Sequence, residues 1–163
     1  MPLYFAYGSN MDRAAMAHRC PRSKPLGLAR LMGHRFVILQ EGYASVERGQ
    51  GAVHGLLFDL ALSDVAALDR YEAVGQGLYT KRVQGVIRQP GGPVRALVYL
   101  GRSASGGVPR PGYMAAVVAA AREIGLPGDY VASLARLGGL DAGPQKSRLP
   151  GLLPPDRALP VRP

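Results

Sequence analysis

The chain has 163 residues, 47% of them hydrophobic, one cysteine and a formal net charge of +9: enough for one domain with one core, and no internal disulfide, which fits a cytosolic protein. No apolar run approaches the roughly 20 residues a bilayer span needs, and the first residues lack a basic region followed by an apolar stretch, so neither a membrane partner nor a signal peptide is expected. The charge is almost all arginine, with Lys24, Lys81 and Lys146 the only lysines, and the arginines are scattered singly without aromatic interleaving; a composition rich in Ala, Gly, Arg and Pro accounts for it better than a nucleic-acid partner does.

Residues 3–7 read as a strand that stops at Tyr7. Gly8, Ser9 and Asn10 follow, and residues 11–18 read as a short helix ended before Pro21. Gly8 can take backbone angles other residues avoid, and Ser9 and Asn10 can cap a helix. Such a strand–turn–helix start leaves backbone N–H groups outward at a helix N-terminus, a setting that suits an anion or a polarised carbonyl. Leu28 to Gln40 contains the buried-strand run Arg35–Leu39, and Ala52–Leu60 is a second nearly continuous apolar strand, with Gly51 and Gly55 marking a bend or a close backbone approach. Ser63 reads as a helix N-cap, with Asp64 in the first turn and the helix running to Tyr71-Glu72 before Gly75 and Gly77.

Tyr79–Arg88 alternates as a strand, Gln89–Pro93 is a turn, and Val94–Leu100 returns as the partner of a hairpin. Pro111–Ile124 is a helix with Met114, Val117, Val118 and Ala121 on its apolar face, ended by Gly125. Asp129–Leu137 is a last short helix. Residues 1–138 thus form the folded domain, and residues 139–163 a Pro-rich tail, whose prolines forbid regular helix or central strand. Strands outnumber helices and lie in the middle, which argues an α+β fold: a small mixed sheet or barrel flanked by helices.

The three histidines, His18, His34 and His54, are not paired at metal-ligand spacing, and there is neither a CxxC nor an HExxH, so no metal is expected. Cys20 has no surrounding His or Asp signature, and the GxSxG elbow and the P-loop are absent. Among the carboxylates Glu72 stands out, at a helix end beside Tyr71 and just before a glycine-rich bend. Apolar neighbours there could desolvate it, which raises a carboxyl pKa and makes a useful base. Taken alone, this segment fits a solvated helix-end glutamate better.

In order and spacing, Tyr7-Gly8-Ser9-Asn10-Met11, Gly55-Leu56-Leu57-Phe58, Leu68-Asp69-Arg70-Tyr71-Glu72 with Gly77-Leu78-Tyr79, Pro109-Arg110-Pro111-Gly112-Tyr113 and Ile124–Tyr130 resemble the γ-glutamylcyclotransferase-like family, which includes the AIG2-like proteins. The resemblance covers Leu3 to Leu137. It implies a small mixed barrel with flanking helices, a cavity at one end, and cofactor-free cyclisation of a γ-glutamyl compound to 5-oxoproline with release of an amine or amino acid. It makes Glu72 the general acid/base and gives substrate-binding roles to Tyr7, Gly8, Ser9, Asn10, Tyr79 and Tyr113. The spacing looks closest to the branch that takes γ-glutamyl amino acids, rather than γ-glutamyl amines or glutathione. The expected partner is the small substrate, with a homodimer left open. A non-catalytic binding module on the same scaffold is the alternative.

Overall fold

The computed structural model describes residues 2–140; the Pro-rich tail expected from residue 139 therefore lies almost wholly outside the described residues. Five strands close a barrel: β1 (Leu3–Ala6), β2 (Lys24–Ile38), β3 (Ala44–Asp59), β4 (Tyr79–Gln89) and β5 (Gly92–Gly101), in the order β1-β3-β2-β4-β5. β5 returns to β1 in parallel, through Tyr4 and Leu97, and the other neighbours pair antiparallel. The α+β expectation of a mixed barrel flanked by helices is what the chain adopts.

The long hairpin of β2 and β3 runs in register from Lys24 opposite Asp59 to Ile38 opposite Ala44, with irregularities at Pro25/Gly27 and Met32/His34. Both strands extend well beyond the short apolar runs read from sequence, because a largely exposed middle stretch, Met32–Arg35 opposite Glu47–Ala52, keeps its ladder between two more buried stretches. Phe5, Leu57, Val53 and Val98 fill the barrel and are fully buried. Gly55 is the close approach its position suggests: a Cβ there would lie 2.2 Å from the carbonyl oxygen of Ala6. β1 and β3 pack this tightly because one side chain is missing.

Four α-helices accompany the strands among the described residues: α1 (Arg13–Arg19), α2 (Val65–Tyr71), α3 (Tyr113–Ile124) and α4 (Gly128–Leu137). α3 packs on α4 and on the turn that follows β1. Its buried residues include all four expected on the apolar face, and Gly125 ends it with φ 84°. Gly112, φ 76°, lies at its start, so Pro111 stands just outside the helix.

Two capping expectations are corrected. Ser9 and Asn10 do not cap the first helix. They form a tight turn, Ser9–Met11, and Asp12 caps α1, its carboxylate accepting from Ala14 N at 3.0 Å and Ala15 N at 3.2 Å. Ser63 lies inside a turn, Leu62–Asp64, and is not the cap of α2. Asp64 is buried and accepts from Arg22 N at 2.9 Å and Ser23 Oγ at 2.8 Å. A carboxylate satisfied by two such donors ties down the loop after α1; it stands at the start of α2, as expected, but makes no capping hydrogen bond to it.

Candidate active site

Where β1 ends, the chain turns through Gly8–Asn10 and points this loop at the C-terminal end of α2. The barrel order forces the meeting: β1 and β5 are neighbours only because the sheet closes. The cleft between them is lined by Tyr4, Tyr7, Gly8, Ser9, Asn10, Ala44, Glu72, Tyr79, Tyr99 and Tyr113, and holds about 330 Å³ of empty space, its mouth included. All seven residues expected to form the site, drawn from four separate stretches of sequence, line this one cleft.

Glu72 is 9% exposed and occupies the C-cap of α2, where its N–H reaches Leu68 O at 2.9 Å. The next residue, Ala73, is the one described non-glycine residue with positive φ, 50°. A residue with a Cβ in the left-handed region costs about 1 kcal/mol or more, and such positions gather at functional sites. Here it turns the chain sharply, and Leu78 N reaches back to Ala73 O at 3.2 Å. Glu72 is thereby held at a fixed corner.

Asn10, 2% exposed, faces that corner. Its Nδ2 donates to Glu72 Oε1 at 3.3 Å and to the Tyr4 hydroxyl at 3.0 Å. Ser9 Oγ lies 2.9 Å from the Tyr71 hydroxyl, so the turn is tied to α2 by both its polar side chains. The Tyr7 hydroxyl donates to the carbonyl of Tyr99 across the β1–β5 seam. On the opposite wall, the Tyr79 hydroxyl donates to Ala44 O, and Ala44 N donates to the Tyr113 hydroxyl at 3.2 Å. A Cβ on Gly8 would come within 3.3 Å of that hydroxyl; a glycine keeps the loop close to Tyr113.

Burial, and then the charge of Glu72, push the Tyr4 hydroxyl well above its usual range. Tyr99 is raised by burial and by its hydrogen bond to the Asp69 carboxylate, which also pairs with Lys81 at 2.9 Å. Both tyrosines stay protonated at neutral pH and act as hydrogen-bonding groups, not as bases. Among the described residues lining the cleft, Glu72 is the one carboxylate.

Tyr4, Ala44 and Tyr99 also line the cleft and are not among the residues expected there. Tyr4 reads as a core aromatic, although a hydroxyl in a buried strand calls for a polar partner. Ala44 and Tyr99 enter through barrel closure, which has no local signature. Cys20 is fully buried, outside the cleft lining, with its thiol pushed up to about 11 by burial and then by Asp64. The histidines stand apart: His34 bonds Met32 O, and His54 packs on Tyr130. Among the described residues no group of acidic, Cys or His side chains is arranged to hold a metal.

Residues 52–134 match the family model described as the AIG2-like family. The chain belongs to the AIG2-like family. Within it, the chain is similar to the γ-glutamylcyclotransferase of Homo sapiens, 29% identical over 139 residues that cover 78% of this chain and 74% of that protein. A solved structure named γ-glutamyl cyclotransferase superposes with a TM-score of 0.75 at 25% identity, over 92% of this chain and 94% of the other. A yeast γ-glutamyl cyclotransferase named as specific to glutathione shares the fold, with a TM-score of 0.57 at 11% identity over 85% of this chain and 95% of that one. This AIG2-like chain has no described helix long and apolar enough to cross a membrane.

Proposed function

We propose that this AIG2-like chain is a γ-glutamylcyclotransferase that closes a γ-glutamyl compound onto itself, giving 5-oxoproline and a free amino acid or amine, with Glu72 as general acid/base. The observation that carries the reading is a single buried carboxylate facing a glycine-containing loop in a tyrosine-walled cleft, in a chain similar to proteins named for that activity.

The chemistry sets three demands. The substrate's α-ammonium must lose a proton before its nitrogen can attack, and Glu72 takes it. The nitrogen then adds to the γ-carbonyl carbon, and the oxygen becomes negative. Backbone N–H groups of the Tyr7–Asn10 loop and, from the opposite wall, the Tyr113 hydroxyl bind the substrate's oxygens and stabilise that charge, while the Tyr79 hydroxyl, which donates to Ala44 O, offers the substrate an acceptor. Finally Glu72 passes the proton it took to the leaving nitrogen as its bond to carbon breaks, then takes the second proton from the ring nitrogen, which becomes the lactam N–H, and gives it up to the released amine, leaving the carboxylate as it began. Amine and carbonyl belong to one molecule, so the cleft must mainly hold it folded; proximity supplies much of the rate.

We place the reaction in the cytoplasm, where the reduced, buried Cys20 is at home, and assign the leaving group to the amino-acid class. A homodimer remains part of the proposal, checked by the mass in solution. The test of the substrate class is 5-oxoproline release from γ-glutamyl-alanine, γ-glutamyl-ε-lysine and glutathione under identical conditions. Higher kcat/KM for γ-glutamyl-alanine is expected; better turnover of either of the other two would reassign the leaving group.

A further inference from the structure

The loop and Glu72 are joined through one amide, and an amide can present either of two faces. Asn10 is buried, with its Nδ2 shared between Glu72 Oε1 at 3.3 Å and the Tyr4 hydroxyl at 3.0 Å. Rotated by half a turn, the same side chain would aim its oxygen at the Glu72 carboxylate, oxygen against oxygen. Something must therefore fix the face. Arg19 Nη1 donates to Asn10 Oδ1 at 2.6 Å. A guanidinium has five donors and no acceptor, so it accepts only the oxygen face of the amide. The short charge-assisted bond holds Oδ1 outward, and both Nδ2 hydrogens are then delivered inward, one to the carboxylate and one to the tyrosine.

Arg19 is itself constrained. It occupies the last turn of α1, and its guanidinium carbon lies 3.8 Å from the centre of the Tyr71 ring. Tyr71 immediately precedes Glu72, and its hydroxyl meets Ser9 Oγ at 2.9 Å. The contacts close a ring that starts and ends on α2: Glu72, Asn10, Arg19, Tyr71. A planar cation suits this place because it can stack on an aromatic face while donating from its edge. A lysine could reach Asn10 but would stack poorly.

We propose that Arg19 is a positioning residue for the cyclisation: it locks the amide of Asn10 in the orientation that donates to Glu72, and so sets the direction of the base. The inference rests on Glu72 being that base. It also predicts that Arg19 acts through Asn10 rather than by touching substrate.

The test is a double-mutant cycle read in kcat and KM for γ-glutamyl-alanine, using wild type, Arg19→Met, Asn10→Ala and the double variant, with Glu72→Gln as reference. Arg19→Met should lower kcat by about 10- to 100-fold, the order expected when a reacting group is misdirected by about 1 Å, and leave KM within about threefold. The double variant should be no worse than Asn10→Ala, because two residues acting as one unit are not additive. Arg19→Lys, which keeps the charge and the fold, should recover part of the loss. Full additivity, or no loss in Arg19→Met, would overturn the inference. Glu72→Gln with undiminished turnover would instead overturn the role of Glu72. A second readout does not depend on turnover: the side-chain amide NMR signals of Asn10. They should move and broaden in Arg19→Met while most backbone signals hold. Unmoved Asn10 amide signals would refute the lock even in a chain that turns over nothing.

Discussion

Gly55→Ala is the sharpest stability test the barrel offers. The new Cβ would stand 2.2 Å from Ala6 O and 3.0 Å from two ring carbons of the fully buried Phe5. Ordinary contact begins at 3.4 Å, so the end of β1 must retreat from β3 by about 1 Å; the obstructing atom is a backbone oxygen and cannot rotate away. Overpacking of this kind costs about 1–3 kcal/mol. At roughly 2–4 °C per kcal/mol for a domain of this size, Tm should fall by about 2–12 °C. Ala6 leads directly into Tyr7 and Gly8, so the displaced strand carries the loop with it, and kcat/KM should drop by up to about 100-fold. Gly85→Ala supplies the contrast. That glycine is in the middle of β4 and a Cβ there meets nothing within 4 Å. The alanine should raise stability by about 0.4–1 kcal/mol by restricting the unfolded chain. Thermal melts and 5-oxoproline assays on both variants settle it. A Gly55→Ala protein as stable and active as wild type, or a Gly85→Ala protein equally damaged, would refute the packing argument.

Three further outcomes are expected. Cys20 is buried with its thiol raised to about 11, so about one thiol in a thousand is ionised at pH 8; a chromogenic disulfide reagent should label it only on unfolding, and prompt stoichiometric labelling of the native chain would contradict its burial. His54 is held below 6.5 by burial first and then by Arg30, against a smaller upward pull from Asp129. The unfolded chain then takes up this proton before the folded one, so the stability it contributes is complete well above pH 6.5 and is lost as pH falls from there through the lower value of the folded state; urea denaturation at pH 7.5 and 5 should show a smaller loss in His54→Gln, and equal losses would remove His54 from the account. The Arg13–Glu123 pair spans 3.7 Å between side chains that are 51% and 66% exposed, so Glu123→Gln should shift Tm by less than about 2 °C, and a larger drop would contradict its solvent screening.

Much of the barrel is legible locally. The hairpin of β4 and β5 is announced by alternation and a Pro-Gly-Gly turn, and α3 by its apolar spacing with Gly125 behind it. Gly55 announces a close approach, although which strand approaches depends on the fold. What local reading misassigned was the use of small polar side chains. Ser9, Asn10 and Ser63 have the chemistry of helix caps, but Ser9 and Asn10 are engaged by Tyr71, Glu72 and Arg19 from other parts of the chain. Asp64 stands at the start of α2, but its carboxylate answers to Arg22 and Ser23. Long-range partners outbid local ones wherever the site is built. The resemblance to the family located Glu72, the loop, Tyr79 and Tyr113. Tyr4 and Tyr99 became visible only when the closing of β1 on β5 brought their rings to 5.7 Å from each other, edge to face.

The central claim is that a single buried carboxylate runs the cyclisation, and the most direct measurement is 5-oxoproline release from γ-glutamyl-alanine by wild type and Glu72→Gln side by side. Glutamine keeps the volume and one hydrogen-bond acceptor facing Asn10, so the fold and Tm should persist while turnover falls by at least about 100-fold, the lower end of the range for loss of a general base. A folded Glu72→Gln chain that still turns over at the wild-type rate, or a wild-type chain that releases no 5-oxoproline from any γ-glutamyl donor, would contradict the account.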